Sequence, residues 1–115
     1  MCGIAGYIEK KKTVEYKSII CDMVRLIRHR GPDDEGIEII PIFSDENKTM
    51  AMGFTRLSIL DVSMNGHQPM KSDDGCVYLT LNGEIYNAFD YRQEFINDGY
   101  EFKSRTDTEI VCSFI

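Results

Sequence analysis

The fold is organised around the first eight residues of the chain, Met1-Cys2-Gly3-Ile4-Ala5-Gly6-Tyr7-Ile8. Its apolar residues predict a strand over residues 3–8, and the small Gly3 lets another backbone segment approach closely. Once Met1 is removed, Cys2 carries a thiol and a free α-amine. Such an amine is a base near neutral pH and can accept the thiol proton. A coincidental cysteine after the start methionine is the alternative, and this stretch alone leaves both open.

Length and composition predict one globular domain. The chain has 115 residues, of which 43% are hydrophobic and 28% charged, which is enough to bury a core. The net charge of −6 argues against a nucleic-acid partner, because phosphate backbones bind basic surfaces. Since no apolar run has the length of a membrane span and the N-terminus lacks a signal-peptide layout, we predict a cytoplasmic protein without a membrane partner.

The cysteines give no indication of a metal site. Cys2, Cys21, Cys76 and Cys112 show neither the CxxC spacing nor the neighbouring histidines of a zinc site, so we predict no bound metal. In a reducing compartment, we interpret Cys21, Cys76 and Cys112 as small buried hydrophobic residues.

Hydrophobic periodicity and turn residues predict strands with helices interspersed, which indicates an α+β or α/β layered domain. After the first strand, the predicted elements are a helix over 14–28 capped by Thr13, a hairpin of strands 36–43 and 50–54, a strand over 76–81, a helix over 88–98 capped by Asn87 and ended by Gly99, and a last helix opened by a Thr106–Glu109 capping box. In the second helix, Phe95 and Ile96 are expected to face inward. Residues 63–74 are predicted to form a long loop, and loops of that length are often functional.

Asn82-Gly83 ends the predicted strand over 76–81. Attack on an amide carbonyl places negative charge on oxygen, which preorganised N–H donors stabilise. The Asn82 side-chain amide and the N–H of Gly83 can form such an oxyanion hole. A hairpin turn is the other interpretation and locally the favoured one, although residues 84–87 make a poor partner strand.

Three charged side chains are candidates for holding a ligand. Arg56 lies in an apolar run, where it can pair with a substrate carboxylate or with an internal acid. Asp107 begins the last helix and can hold an ammonium group, but alone it is better explained by the helix dipole. Glu84, judged alone, is a surface carboxylate. Neither His29 nor His67 stands beside a nucleophile, so neither is predicted to be a general base.

These candidates complement one another. A thiol, an oxyanion donor pair, a cation for a carboxylate and an anion for an ammonium group together fit a free amino acid that has a side-chain amide. Glutamine is the substrate that this set predicts.

Six motifs in order carry a family resemblance: residues 1–6 (MCGIAG), 28–34 (RHRGPDD), 56–59 (RLSI), 66–70 (GHQPM), 81–87 (LNGEIYN) and 107–109 (DTE). Through them the chain resembles the N-terminal glutaminase domain of glutamine-hydrolysing asparagine synthetases. These domains are class II glutamine amidotransferases of the N-terminal nucleophile hydrolase type. The motif over 29–34 favours this branch over the sugar-phosphate and purine-pathway amidotransferases.

The resemblance implies a role for each matching residue. Cys2, freed of Met1, would form a γ-glutamyl thioester and release ammonia, while Asn82 and the Gly83 N–H match the oxyanion hole. Arg56 matches the group that holds the glutamine carboxylate. The other matching substrate-binding positions are Leu57, Ser58, Ile59 and Leu60, through their backbone, and Glu84 and Asp107, near the substrate amine.

The resemblance also implies an α+β fold, a four-layer αββα sandwich of two stacked sheets between helices, of which residues 1–115 are expected to hold only part. It implies no cofactor here, because ATP and Mg belong to a synthetase domain that these residues lack. That domain would receive the ammonia, and homodimerisation is a further option. Two alternatives stay open: a non-catalytic glutamine-binding or regulatory module, and an inactive fragment whose apolar last helix is covered in an intertwined oligomer.

Overall fold

The computed structural model describes residues 1–10, 15–42, 44–59 and 61–115. In these ranges the chain is α+β, as predicted, and no helix is both long and apolar enough to cross a membrane. The elements are β1 (Gly3–Glu9), α1 (Tyr16–Ile27), β2 (Asp34–Pro41), β3 (Thr49–Arg56), β4 (Met70–Lys71), β5 (Tyr78–Leu79), α2 (Ala88–Asn97) and α3 (Asp107–Ser113), with 3-10 turns at Arg28–Arg30 and Met64–Gly66.

The central strand of the main sheet is β3, which pairs antiparallel with β1 on one side and β2 on the other. The predicted strand at the N-terminus and the predicted β2–β3 hairpin are thereby confirmed. Because Gly3 pairs with Thr55, Cys2 lies beside the end of β3. The sheet register therefore brings the candidate nucleophile next to Arg56 and Leu57.

One face of this sheet packs against α1. The buried centre of that contact consists of Ile20 and Val24 on the helix and Ala51 on β3, and burying each large apolar side chain stabilises the fold by about 1.5–3 kcal/mol. Gly53 allows the close approach, since a Cβ there would lie 2.4 Å from Val24 Cγ2. The helical spacing predicted for α1 is confirmed by this contact.

The ends of several predicted elements differ from the observed ones. Glu15 occupies the N-cap position of α1 and makes no side-chain capping bond. The predicted cap Thr13 and the predicted helix start Val14 lie outside the described residues, as do Phe43 and Leu60.

The strand predicted over 76–81 is reduced to β5, which pairs only with β4. Its first N–H groups are taken by side chains of the preceding turn: Cys76 N donates to Asp74 Oδ1 at 2.9 Å and Val77 N to Ser72 Oγ at 3.0 Å. Cys76 is consequently exposed, so its predicted burial was wrong, whereas Cys112 is buried and Cys21 half-buried. The loop predicted over 63–74 contains a 3-10 turn and β4.

The helix α2 is close to its predicted length. Asn87 lies at the N-cap position but makes no side-chain capping bond, and Gly99, with φ +94°, ends the helix as predicted. Phe95 packs edge-on against Phe114 with ring centroids 4.7 Å apart. Ile96 is 44% exposed, so its predicted inward orientation was wrong, because only one narrow stripe of α2 is covered.

Candidate active site

A cavity of about 330 Å³ lies beside the ends of β1 and β3, within the size range of about 300–1,000 Å³ typical of ligand pockets. The predicted site residues that line it are Cys2, Arg56, Leu57, Ile59, Asn82, Gly83 and Glu84. Ser58 and Asp107 are not among the lining residues, and Leu60 is outside the described residues. The cavity is also lined by Met1, Asp61, Gln68, Leu81, Tyr86 and Thr106, while neither histidine lines it.

The Cys2 thiol is held against the backbone of Leu57. Leu57 N donates to Cys2 Sγ at 3.4 Å, and Sγ lies 3.8 Å from Leu57 O. On the other side, Arg30 Nε donates to Cys2 O at 3.1 Å. Gly3 is required here, because a Cβ on it would lie 2.6 Å from Thr55 Oγ1. These contacts hold the half-buried thiol, which directly precedes β1, at the cavity.

The segment over residues 31–34 braces this arrangement, a role that its sequence did not reveal. A Cβ on Gly31 would lie 2.5 Å from the Thr55 carbonyl carbon, so the segment runs directly against β3. Asp33 N donates to Arg56 O at 3.0 Å, and Asp33 Oδ2 accepts from Ser58 N at 2.8 Å. Asp33 therefore orients the backbone that follows β3, which is where the predicted substrate-binding residues begin.

Arg56 is only 6% exposed, and its guanidinium is enclosed by the turn over residues 61–66. Its Nη1 donates to Ser63 O at 2.8 Å and its Nη2 donates to Asp61 O. A Cβ on Gly66 would lie 2.1 Å from Nη2, so an added side chain there would displace the guanidinium. Within the described part of the chain no carboxylate forms a salt bridge with Arg56, so the internal ion pair considered from sequence is not observed there.

Asn82 and Gly83 stand between β5 and α2 and therefore do not join two strands of a hairpin. The segment is anchored on both sides: Leu81 N donates to Gln68 Oε1 at 2.7 Å and Ile85 N to Asp107 Oδ2 at 2.8 Å. A Cβ on Gly83 would meet nothing within 4 Å, so this backbone borders open space. The two candidate oxyanion donors lie in a held loop on the cavity wall.

Asp107 lies in the first turn of α3 and is 5% exposed. Its observed partner, the N–H of Ile85, belongs to the loop that carries Glu84. Contact of Asp107 with a substrate amine stays a prediction, as does that of Glu84. What the structure adds is that Asp107 fixes the loop that lines the cavity.

Two residues that sequence reasoning missed hold the site together. Buried Gln68 joins three segments, since its Nε2 donates to Thr108 Oγ1 at 3.2 Å while its Oε1 accepts from Leu81. Its place in the motif over 66–70 was the available signal. Asp61 follows the motif over 56–59 and gave no signal of its own, because its partners are distant in sequence.

The Asp61 carboxylate accepts from Ser63 N at 2.7 Å and from Arg105 N at 2.8 Å. Hydrogen bonds from the Ser63 side chain and then from the backbone N–H groups of Arg105 and Ser63 lower the pKa of Asp61 to about 2. The carboxylate therefore stays ionised at physiological pH and links the turn around Arg56 to the segment before α3.

The segment before α3 is itself held by a buried carboxylate. Glu109 accepts from Lys103 N at 2.8 Å and from Ser104 N at 2.6 Å, and its own N–H donates to Thr106 Oγ1 at 3.3 Å. Only half of the predicted capping box is formed, because the Glu109 side chain binds these earlier N–H groups instead of that of Thr106. Among the described residues, no cluster of three or more metal-ligating side chains is found.

Comparison with known proteins identifies the family of this chain. Residues 1–115 match the profile of a family described as glutamine amidotransferase domain. Asparagine synthetase 1 (glutamine-hydrolyzing) of Bacillus subtilis strain 168 is 40% identical over 116 residues, covering 98% of this chain and 17% of the relative. Asparagine synthetase B (glutamine-hydrolyzing) of Escherichia coli strain K12 is 38% identical over 114 residues, covering 98% and 19%. The chain thus spans about a fifth of the length of these relatives.

Proposed function

This chain belongs to the glutamine amidotransferase domain family, and we propose that it hydrolyses the side-chain amide of glutamine to glutamate and ammonia. The cavity that Cys2, Arg56, Asn82 and Gly83 share carries this proposal. A nucleophile, a carboxylate-binding cation and two oxyanion donors face one space large enough for an amino acid. A non-catalytic binding module would need only the Arg56 cation and the hydrogen-bond donors, and it would not need the Cys2 thiol.

In the proposed reaction, removal of Met1 frees the α-amine of Cys2, which takes the proton from Sγ. The thiolate attacks the amide carbon of glutamine, the C–N bond breaks, and the leaving nitrogen takes that proton to depart as ammonia. Water then cleaves the γ-glutamyl thioester to give glutamate and restores the thiol. Met1 lines the cavity and is 75% exposed, which suits its removal.

The tetrahedral intermediate carries negative charge on the former carbonyl oxygen. We assign the donors for that charge to the Asn82 side chain and the Gly83 N–H, where losing one donor costs about 2.7–4 kcal/mol of transition-state stabilisation. Arg56 takes the α-carboxylate of glutamine, with the backbone of residues 57–60 alongside. Glu84, on the cavity wall, and Asp107, which accepts from Ile85 N in the same loop, serve the substrate amine.

We further propose that residues 1–115 are part of a four-layer sandwich. Ile4 and Ile8 of β1, 49% and 60% exposed, lie on the face of the sheet that α1 leaves open, beside half-buried Met50 and Met52 of β3. An apolar sheet face of this kind is normally covered by a second layer. A second sheet stacked on it would complete the arrangement that the family resemblance implies.

The ammonia has a proposed use in the whole protein. Because the relatives are asparagine synthetases by name, we propose that a synthetase domain outside these residues uses ATP, Mg and this ammonia to form asparagine in the cytoplasm. The glutaminase site itself needs no cofactor in this scheme.

Ammonia release from glutamine by the complete natural polypeptide tests the proposal. We expect release by wild type, with mass spectrometry placing Cys2 at the N-terminus, and its loss in Cys2→Ala. Cys21→Ala is the matched control, because Cys21 lies on α1 away from the cavity, and it should retain full activity. Equal rates in wild type and Cys2→Ala would exclude Cys2 as the nucleophile, and glutamine binding without ammonia release would favour the binding module.

A further inference from the structure

We propose that Asp61 is a positioning residue that orients the Arg56 guanidinium toward the α-carboxylate of the substrate. This inference rests on the function proposed above, because it assigns the substrate group that Arg56 receives. Asp61 lines the same cavity as Arg56 and Cys2. It acts through the backbone turn that it shapes, since Arg56 binds the main-chain oxygen of Asp61 and not its carboxylate.

The guanidinium of Arg56 has its direction set by the turn over residues 61–66. The carbonyl oxygens of Asp61 and Ser63 each accept from one terminal nitrogen, and Gly66 closes against the group. A bidentate bond to a carboxylate needs the planar guanidinium to face its partner correctly. The positions of these two carbonyl groups therefore determine whether the remaining N–H groups of the Arg56 guanidinium face the cavity.

The Asp61 carboxylate holds those carbonyls in place. One oxygen accepts from Ser63 N inside the turn, and the other accepts from Arg105 N, 44 residues away in sequence. The Arg105 end of this link is itself held in place, because buried Glu109 accepts from the neighbouring Ser104 N at 2.6 Å. The turn around Arg56 is thus tied to the start of α3 and does not depend on its own local bonds alone.

Asp61→Asn is the discriminating variant. Asparagine has the same shape but only one acceptor oxygen, so it can serve Ser63 N or Arg105 N but not both. We expect the KM for glutamine to rise about tenfold while kcat stays within about twofold, the pattern of lost binding that is uniform in ground and transition states. Asp74→Asn is the matched control: Asp74 also accepts from the N–H two residues on, at 2.9 Å, but in the β4–β5 turn. It should leave both constants unchanged.

Alkylation of Cys2 gives a readout that does not need turnover. A diazoketone analogue of glutamine carries the α-carboxylate, whereas iodoacetamide carries none. At subsaturating reagent, Asp61→Asn should slow labelling by the analogue about tenfold and leave labelling by iodoacetamide unchanged, because only the analogue uses Arg56. This measurement tests the role of Asp61 even if no ammonia release is observed, because it does not require the proposed hydrolysis.

Gly66→Ala provides a second variant if Asp61→Asn does not fold. Its added Cβ would displace the guanidinium directly, so the same selective loss of labelling by the analogue is expected. The inference is overturned if both reagents slow equally, if kcat falls while KM stays constant, or if wild-type Cys2 does not react preferentially with the glutamine analogue.

Discussion

The sheet end that presents Cys2 and the loops between residues 57 and 107 form the same cavity by different means. The first region is held by strand ladders and by the packing of α1 on β3. The second contains two strands of two residues each, and side-chain carboxylates hold its loops: Asp33 on Ser58 N, Asp61 on Arg105 N and Asp107 on Ile85 N. The position of the nucleophile thus depends on the packed core, whereas the positions of the substrate-binding groups depend on a few hydrogen-bond acceptors.

The largest expected effect comes from the second region and concerns activity alone. Asn82→Ala removes one proposed oxyanion donor, so kcat for ammonia release should fall by about 10²–10³-fold, or about 2.7–4 kcal/mol. The melting temperature should stay that of wild type, since Asn82 is exposed. Asn65→Ala, an exposed asparagine outside the cavity lining, is the control for kcat. A clear fall in melting temperature beside the fall in kcat would mean that Asn82 also stabilises the fold, and would contradict the separation of the two regions.

The next effect comes from the first region and concerns stability. Gly53→Ala places a Cβ 2.4 Å from Val24 Cγ2, and overpacking of this kind lowers the free energy of unfolding by about 1–3 kcal/mol. Gly83→Ala is the matched control, because a Cβ there meets nothing within 4 Å. Urea unfolding of both variants checks the difference. Equal destabilisation by the two changes would mean that the packing of α1 on the sheet does not limit stability.

The smallest expected effect is a dependence of the free energy of unfolding on pH, and it comes from the Asp61 carboxylate. Because the pKa of Asp61 is lowered to about 2 in the fold, its carboxylate stabilises the protein fully above the unfolded pKa of about 3.9. As pH falls from about 4 toward 2, the unfolded chain takes up the proton first and this contribution is lost. Wild type should therefore be more stable than Asp61→Asn in urea at pH 6, with the difference shrinking toward pH 2. A difference independent of pH would show that charge on Asp61 is not involved.

Much of the first region follows from short stretches of sequence. The strand at the N-terminus, the β2–β3 hairpin and α1 are predicted by apolar runs and by the spacing of Ile20 and Val24, because burial on one face imposes a period that the sequence displays. The residues with suitable chemistry, such as Cys2 and Arg56, also stand out individually. Their grouping in one site is predicted because their chemical roles complement one another and because the motifs that contain them carry the family resemblance.

The contacts that hold those residues in position are seen only in the folded chain. Asp61 and Arg105, or Gln68 and Leu81, carry no mutual signal, because a hydrogen bond depends on where two atoms lie and not on a repeat along the chain. For the same reason Cys76 was wrongly expected to be buried and the strand over 76–81 to be long, since side chains of the turn took the N–H groups. The secondary structure of the sheet region and the chemical groups available can be predicted from the residues alone, whereas contacts between residues distant along the chain set how those groups are oriented.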